Sequence, residues 1–482
     1  MQRISDEQVV AKLNQENFWW KSGSYRLELV ARPYLNLLMP LLNHELQRAV
    51  IMMGPRRVGK TILIHHAIQR LLEKKILPTH ICYISIDNPI YNHVINGGGG
   101  LETLLRLYCR EQHLDPQGSD RLYVFFDEIQ YLKNWEIHLK VLVDTYPKIQ
   151  FLASGSAAAA LKRQSNESGT GRFTDFLLPP LTFYEYLVLK GEEEAFTEKS
   201  AISKLNKVFI DYINFGGYPE IALSKKHRAD LGRFVKSDII DKVLLRDLPI
   251  LYGIQDIQEL NALFTTLAYN SGTEVSLEEL SKNSQLNKVT IKKYIDYLEA
   301  AFLITVIRRI DDNAKYFKRA TTFKVFLNNP SMRAALFEPI QENRAQEDRF
   351  FGHMIETAVF SQWLHVLAHL HYARWDRGRT KLEVDLVRLG NQLKPQEVIE
   401  IKWSDRCSSR LGELAAVTEL CLKHNLHETL VTSRTEFKQV RHQNIQFTFA
   451  PASYYALLVG KTALQVRTSM DGIMRKMSEM LP

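Results

Sequence analysis

The chain of 482 residues is poor in cysteine. Its four, Cys82, Cys109, Cys407 and Cys421, stand far apart, with no CxxC pair among them. That spacing excludes a disulfide framework and a cysteine-based zinc site, and it fits a reducing compartment. Long hydrophobic runs are lacking too. No run reaches the roughly 18 apolar residues that would span a bilayer. The most apolar helical stretch, Ala358 to Leu370, is broken by Ser361, Gln362 and His365. The opening MQRISDEQVVAKLNQENFWWK holds no apolar core of the kind a secretory signal needs. These absences lead us to expect a cytoplasmic protein with no membrane partner. A large excess of one charge sign is also missing: 62 Lys and Arg face 54 Asp and Glu, a net charge of +8. A pI near 9.0 permits an anionic partner without demanding one.

What is present is ordinary globular composition, 45% hydrophobic and 24% charged. The length suggests about three domains. Residues 1–45 read as an amphipathic helical segment with an aromatic cluster at Phe18, Trp19 and Trp20. From about 49 to 178, short apolar runs alternate with helical ones. The runs Ala49–Met53, Ile81–Ile86, Leu122–Phe126, Ile149–Ala153 and Phe173–Leu178 read as strands of a parallel sheet covered on both faces. Residues 183–265 read as mainly helical. The runs Gly97–Gly100 and Ala157–Ala160 read as a flexible loop and a helix continuation.

The strongest motif is Gly54-Pro55-Arg56-Arg57-Val58-Gly59-Lys60-Thr61, a full match to GxxxxGK[ST] between an apolar strand and an apolar-periodic helix. Its backbone amides and the following helix N-terminus suit phosphates. Lys60 would reach the β- and γ-phosphates of ATP, and the Thr61 hydroxyl would ligate Mg²⁺. The run LYVFF then delivers Asp127 and Glu128 to the carboxyl edge of the sheet. Asp127 suits the Mg²⁺ shell, and Glu128 suits the polarisation of an attacking water. FLASGS ends a neighbouring strand, where Ser154, or alternatively Ser156, suits a γ-phosphate or water sensor.

Together these parts resemble the AAA-type branch of the P-loop ATPases. More narrowly, GPRRVGKT, YVFFDEIQ, FLASGS, Gly171-Arg172 and Phe215-Gly-Gly-Tyr-Pro219 resemble a prokaryotic ATPase family with a C-terminal domain of uncertain function. The resemblance implies that Gly217 and Pro219 match the GxP element of a helical lid, packed near the nucleotide. It also places Arg172 like an arginine that reaches phosphate charge in its own or a neighbouring subunit. A homo-oligomer or a protein partner is therefore expected.

Two further regions carry patterns. Ser276 with Glu279 opens a helix, and a turn near Asn283–Asn287 leads into Lys288-Val-Thr-Ile-Lys-Lys-Tyr-Ile. There Val289, Ile291, Tyr294, Ile295 and Leu298 are expected to face a core. Two strand-like runs follow, Phe302–Ile310 and Thr321–Leu327, and the whole resembles a winged helix. Arg308, Arg309, Lys315, Lys318, Arg319 and Lys324 face only Asp311 and Asp312 here, a local charge of +4, half that of the chain. With Lys288, Lys292 and Lys293 they would form a DNA-contacting surface. Beyond, Glu356 lies on an apolar helix, Asp385 on an alternating strand, and Glu400-Ile-Lys402 on the next. This set resembles the PD-(D/E)xK nuclease fold, although Val384 stands where that pattern has proline. The resemblance implies Mg²⁺ on Asp385 and Glu400, support from Glu356, and charge stabilisation or water activation by Lys402. Met470, Ile473, Met474, Met477 and Met480 suggest an amphipathic terminal helix.

The expected fold is α/β: a P-loop ATPase parallel sheet with helical lid, a winged-helix module and a C-terminal α/β nuclease-like domain. The expected divisions are 1–45, 46–180, 181–265, 266–330 and 331–482. The expected function is ATP hydrolysis whose nucleotide state controls the C-terminal region, acting on or near DNA. The alternatives are a nucleotide-gated protein-interaction module without nuclease activity, and a DNA-cutting defence or repair enzyme.

Overall fold

The computed structural model describes residues 4–43, 48–155, 171–196, 201–315, 321–341, 351–364, 369–390 and 392–464. Ser156, Ala157–Ala160, Lys318, Arg319 and the methionine-rich segment from 470 to 480 lie outside the described residues. The chain divides into two compact units, Met1–Pro179 and Pro180–Pro482. Among the described residues, no helix is long and apolar enough to cross a membrane.

In the first unit, α1 (Asp6–Glu16) starts at a reciprocal cap between Ser5 and Gln8. Five parallel strands follow: β1 (Ala49–Met53), β2 (Ile81–Ser85), β3 (Leu122–Asp127), β4 (Ile149–Gly155) and β5 (Phe173–Leu177). Between them run α2 (Lys60–Glu73), α3 (Gly100–Glu111) and α4 (Trp135–Thr145). Sheet order is β2-β3-β4-β1-β5. Every residue of β1, β3 and β4 is buried, as parallel strands sandwiched between helices require. The exposed edge is managed by side chains. Asn17 both donates to and accepts from the Tyr83 backbone, and the Trp19 and Trp20 indoles donate to the Ile81 carbonyl. The aromatic cluster thus covers the β2 edge, which would otherwise invite pairing with another chain. Gly98 and Gly100 take positive φ at the entrance to α3, so the glycine run forms the approach to a helix rather than a free loop.

The second unit begins with α5 (Phe183–Lys190), α6 (Ile202–Phe215) and α7 (Pro219–Leu223), followed by α8 (Ile257–Tyr269). Next come β6 (Glu274–Ser276), α9 (Leu277–Ser284), α10 (Lys288–Ala300), β7 (Ile304–Ile310), β8 (Thr322–Leu327) and α11 (Ser331–Leu336). Then follow α12 (Phe351–Trp363), β9 (His369–Arg377), β10 (Thr380–Leu389), β11 (Pro395–Glu400), α13 (Ala415–Lys423), β12 (Glu428–Ser433), β13 (Lys438–His442), β14 (Ile445–Pro451) and α14 (Ala452–Ala463). The apolar stretch from Ala358 is helical only to Trp363; by His369 the chain is already a strand.

One sheet runs through this unit, in the order β13-β14-β12-β11-β10-β9-β7-β8-β6. The join is the parallel pairing of β7 with β9, Arg308 opposite His371 and Ile310 opposite Ala373. The expected division at 330 therefore falls inside a continuous sheet, and that at 265 falls inside α8. The helices expected as a lid share a core with the C-terminal region. Phe183, Tyr186, Phe209 and Tyr212 cluster with Ile355, Phe360 and Trp363 of α12, Leu386 of β10 and Tyr455 of α14. Gln362 locks this packing, accepting from the Phe183 amide at 2.7 Å and donating to the Tyr212 hydroxyl at 3.0 Å.

Candidate functional site

The phosphate loop lies between β1 and α2. Gly54 is required sterically: a Cβ there would stand 2.2 Å from the Leu178 carbonyl oxygen. Gly59 (φ 94°) and Arg57 (φ 57°) both take the left-handed conformation, and Val58 is buried beneath the turn. Helix α2 has no side-chain cap, so its first-turn amides suit an anion. Arg32 fastens the loop from below, donating to the Val58 carbonyl at 2.8 Å and to the Pro179 carbonyl at 3.0 Å. Lys60 is buried, and its amine donates to the carbonyls of Gly54 (3.0 Å) and Pro55 (2.8 Å).

Asp127 ends β3 and is 1% exposed. Its Oδ2 accepts from the Thr61 hydroxyl at 2.6 Å and the Tyr83 hydroxyl at 2.9 Å. Its Oδ1 accepts from Ser154 and from the Glu128 amide at 3.1 Å. The strand order explains this meeting: β4 lies between β1 and β3, so its terminal Ser154 stands beside both loop and carboxylate. Glu128, partly exposed and in the left-handed region (φ 54°), accepts from Gln130. Burial and the Asp127 charge push the Tyr83 hydroxyl well above its ordinary range. Burial holds His65, which packs on the Tyr83 ring at 4.8 Å, below the usual imidazole range against the pull of Asp127. Oxygen ligands from Thr61 and Asp127 suit a hard cation such as Mg²⁺, and the amine of Lys60 suits phosphate. Tyr83 and Arg32 were not legible as site residues: a strand tyrosine and an isolated arginine carry no motif.

Arg172 corrects an expectation. β5 runs parallel to β1 with Phe173 opposite Ala49, so Arg172 stands where the strands begin. The phosphate loop stands where they end, about 16 Å away for five residues of strand. Arg172 instead pairs with Asp144 at 3.0 Å. It does not serve its own subunit's phosphates from that edge.

Gly217 and Pro219 belong to the second unit. A Cβ at Gly217 would coincide with the Asn329 side chain, and Pro219 opens α7 as its first residue. The Gly217 carbonyl accepts from the Leu181 amide at 2.9 Å. Packing and a helix start thus account for this motif.

The second unit gathers the four expected nuclease-like residues. Leu386 pairs with Ile399 in the β10–β11 register, and Asp385 and Glu400 are the next residues along the two antiparallel strands. A bulge between Val384 and Val387 breaks the expected alternation, and bulges re-aim side chains. The Asp385 amide donates to Glu400 at 3.3 Å, and Asp385 accepts from the Ile401 amide at 2.9 Å. Lys402 lies 2.6 Å from Glu400 and 3.5 Å from Asp385. Burial and the Asp385 charge push Glu400 up to about 7. Burial would raise Asp385 as well, but Lys402 and Lys324 outweigh it and hold Asp385 below its ordinary value.

Lys324 was expected on a basic surface and is instead 3% exposed. Its amine lies 2.8 Å from Glu383, 3.5 Å from Glu356 and 3.6 Å from Asp385. Arg374 joins from β9, 2.6 Å from Glu274 and 3.5 Å from Glu383. The other basic residues of the region are also partly engaged. Arg309 donates to the Arg374 carbonyl, and Lys288 pairs with Glu278. Val289 corrects a second expectation: it is 64% exposed, with Lys292 and Lys293 exposed on the same helix, while Ile291, Tyr294, Ile295 and Leu298 do face the core.

Comparison with known proteins supports part of this assembly. Residues 46–187 match the family model of an AAA domain, so the chain carries an AAA-type P-loop nucleotide-binding domain. Residues 206–343 match a domain of unknown function (DUF8612). An uncharacterized protein of Haemophilus influenzae is 25% identical over 280 residues, 55% of this chain and 66% of that protein. The uncharacterized protein MJ1544 of Methanocaldococcus jannaschii is 25% identical over 276 residues, 55% of this chain and 57% of that protein. The matches thus span less than two thirds of either relative. Among solved structures, the Aeropyrum pernix ORC2 protein is 15% identical with a TM-score of 0.38, covering 67% of this chain and 97% of that one. Cdc6p of Pyrobaculum aerophilum is 13% identical with a TM-score of 0.27, covering 68% and 98%.

Proposed function

We propose that the protein binds and hydrolyses Mg·ATP at its phosphate loop, and that nucleotide state governs the second unit. One observation carries the reading: Thr61, Asp127, Ser154 and the Glu128 amide form a single hydrogen-bonded group around the Asp127 carboxylate. Bound Mg²⁺ would supply charge neutralisation for the phosphates. Thr61 and Asp127 would hold it, and Gly54 to Gly59 would wrap the phosphates. Lys60 would exchange its two loop carbonyls for phosphate oxygens. Glu128 would accept a proton from water, and Ser154 would fix the Asp127 carboxylate from the adjacent strand. Lys60→Ala should abolish ATP binding in calorimetry. Glu128→Gln should bind ATP but lower turnover by about 100-fold or more, as loss of a general base does. Unchanged hydrolysis in both variants would overturn the assignment. Arg172 retains a role only toward a neighbouring subunit, which a mixed-subunit ATPase assay of Arg172→Ala would reveal.

For the second unit we propose a winged helix joined to a PD-(D/E)xK-like scaffold. The reading is supported by α8, β6, α9, α10 and the β7–β8 hairpin in that order, with β6 closing antiparallel on β8, and by the convergence of Glu356, Asp385, Glu400 and Lys402. Exposed Lys288, Lys292 and Lys293 on α10 make DNA the favoured partner.

A further inference from the structure

The nuclease-like resemblance implies a divalent cation among Asp385, Glu400 and Glu356, and the side chains around them do not fit one. We propose that Lys324 is a built-in cation that closes this carboxylate cluster to divalent metal, so that in the native chain it is an ion-pair network rather than a metal site.

The geometry leaves the carboxylates already occupied. Asp385 has an ammonium on each oxygen, Lys324 at 3.6 Å from Oδ1 and Lys402 at 3.5 Å from Oδ2. Glu356 faces Lys324, and Glu400 faces Lys402. A metal ion bound at about 2.0–2.6 Å from these oxygens would sit beside one or both ammonium groups. Two cations at such separation repel strongly where water is excluded. Glu356, Glu383, Asp385 and Glu400 face Lys324, Lys402 and Arg374, and Arg374 is shared with Glu274 at 2.6 Å. The protein's own cations thus stand where a metal would neutralise these carboxylates. Among the described residues, no group of three or more His, Cys, Asp or Glu side chains is disposed to hold a metal ion.

Lys324 is also poorly placed to withdraw. Its backbone pairs on both sides within the sheet, opposite Glu274 of β6 and Ile307 of β7, and its amine lies 5.5 Å from the centre of the Tyr372 ring. A residue of the hairpin thus completes a site built by β10, β11 and α12. The continuity of β7 with β9 makes that reach possible.

The test is a Mn²⁺ titration of the full chain without nucleotide, read by calorimetry and by electron paramagnetic resonance of bound Mn²⁺. Wild type and Asp385→Asn should bind Mn²⁺ alike. Lys324→Met, which keeps the apolar stem, should gain one site at least tenfold tighter than any in wild type, and the gain should vanish in Lys324→Met/Asp385→Asn. Lys324→Gln, which keeps a polar head among the carboxylates, is the second variant and should gain the same site if the methionine variant does not fold. A wild-type Mn²⁺ site lost in Asp385→Asn would overturn the proposal whatever the variants do. So would a folded Lys324 variant that gains no site.

Discussion

At the scale of single residues, the phosphate loop depends on the absence of a side chain at Gly54. The Leu178 carbonyl occupies the place a Cβ would take, and being backbone it cannot rotate away. Gly54→Ala should lower stability by about 1–3 kcal/mol, the usual range for overpacking, and weaken ATP binding as the loop shifts. Thermal unfolding and calorimetry check the two effects separately. Asp127 shows the opposite dependence, on what surrounds it. Four donors from Thr61, Tyr83, Ser154 and Glu128 saturate a carboxylate that is otherwise cut off from water. Tyr83→Phe removes one of these and should cost about 1 kcal/mol, the net value of a typical hydrogen bond, without altering the loop.

At the scale of elements, α10 presents two different faces. Ile291, Tyr294, Ile295 and Leu298 pack inward, and Lys288, Val289, Lys292 and Lys293 face out. If those lysines meet phosphate, neutralising all three should flatten the salt dependence of duplex binding, lowering its log–log slope by roughly 2–3. Fluorescence anisotropy at several salt concentrations reads this directly, and an unchanged slope would remove DNA from the partner of this helix. The C-terminal end of the same helix holds Glu299, which accepts from the Val306 amide at 2.7 Å and is pushed up to about 7 by burial. A carboxyl whose folded value lies above its unfolded one binds more protons when folded. Its stabilisation is present below about 4.5 and is lost as pH rises through about 7. Stability of the wild type should therefore carry a falling component across that window. Glu299→Gln should remove that component, seen as a flatter plot of unfolding midpoint against pH.

At the scale of the whole molecule, the packing divides at Pro179 and not at the edges of the winged-helix pattern. Residues 180–482 share one sheet and a core that draws on both their first helices and their last. A fragment of residues 180–482 should fold alone. A fragment of 266–330 should not, because it leaves the edge of β7 without β9 and exposes the core face lent to α8. Circular dichroism and amide exchange of the two fragments distinguish the outcomes.

The parts legible in the sequence were those written in local order. The eight-residue phosphate loop needs only consecutive residues, since its glycines and lysine act through the backbone they interrupt. The strand ending in Asp127 and Glu128 was readable for the same reason, as was the helix–turn–helix spacing around Asn283–Asn287. Placement across strands was not readable. The family resemblance placed Arg172 near phosphate, but it lies at the other end of a parallel sheet, because register is decided by pairing between strands. Lys324 looked like surface charge because five other basic residues accompany it. Only the pairing of β7 with β9 puts its strand in one sheet with β10 and β11, where its amine reaches Glu356, Glu383 and Asp385. By itself, then, the amino-acid order determined which chemistry each segment can offer. The tertiary structure decided which groups meet, because buried charges come to rest only where partners from distant segments neutralise them.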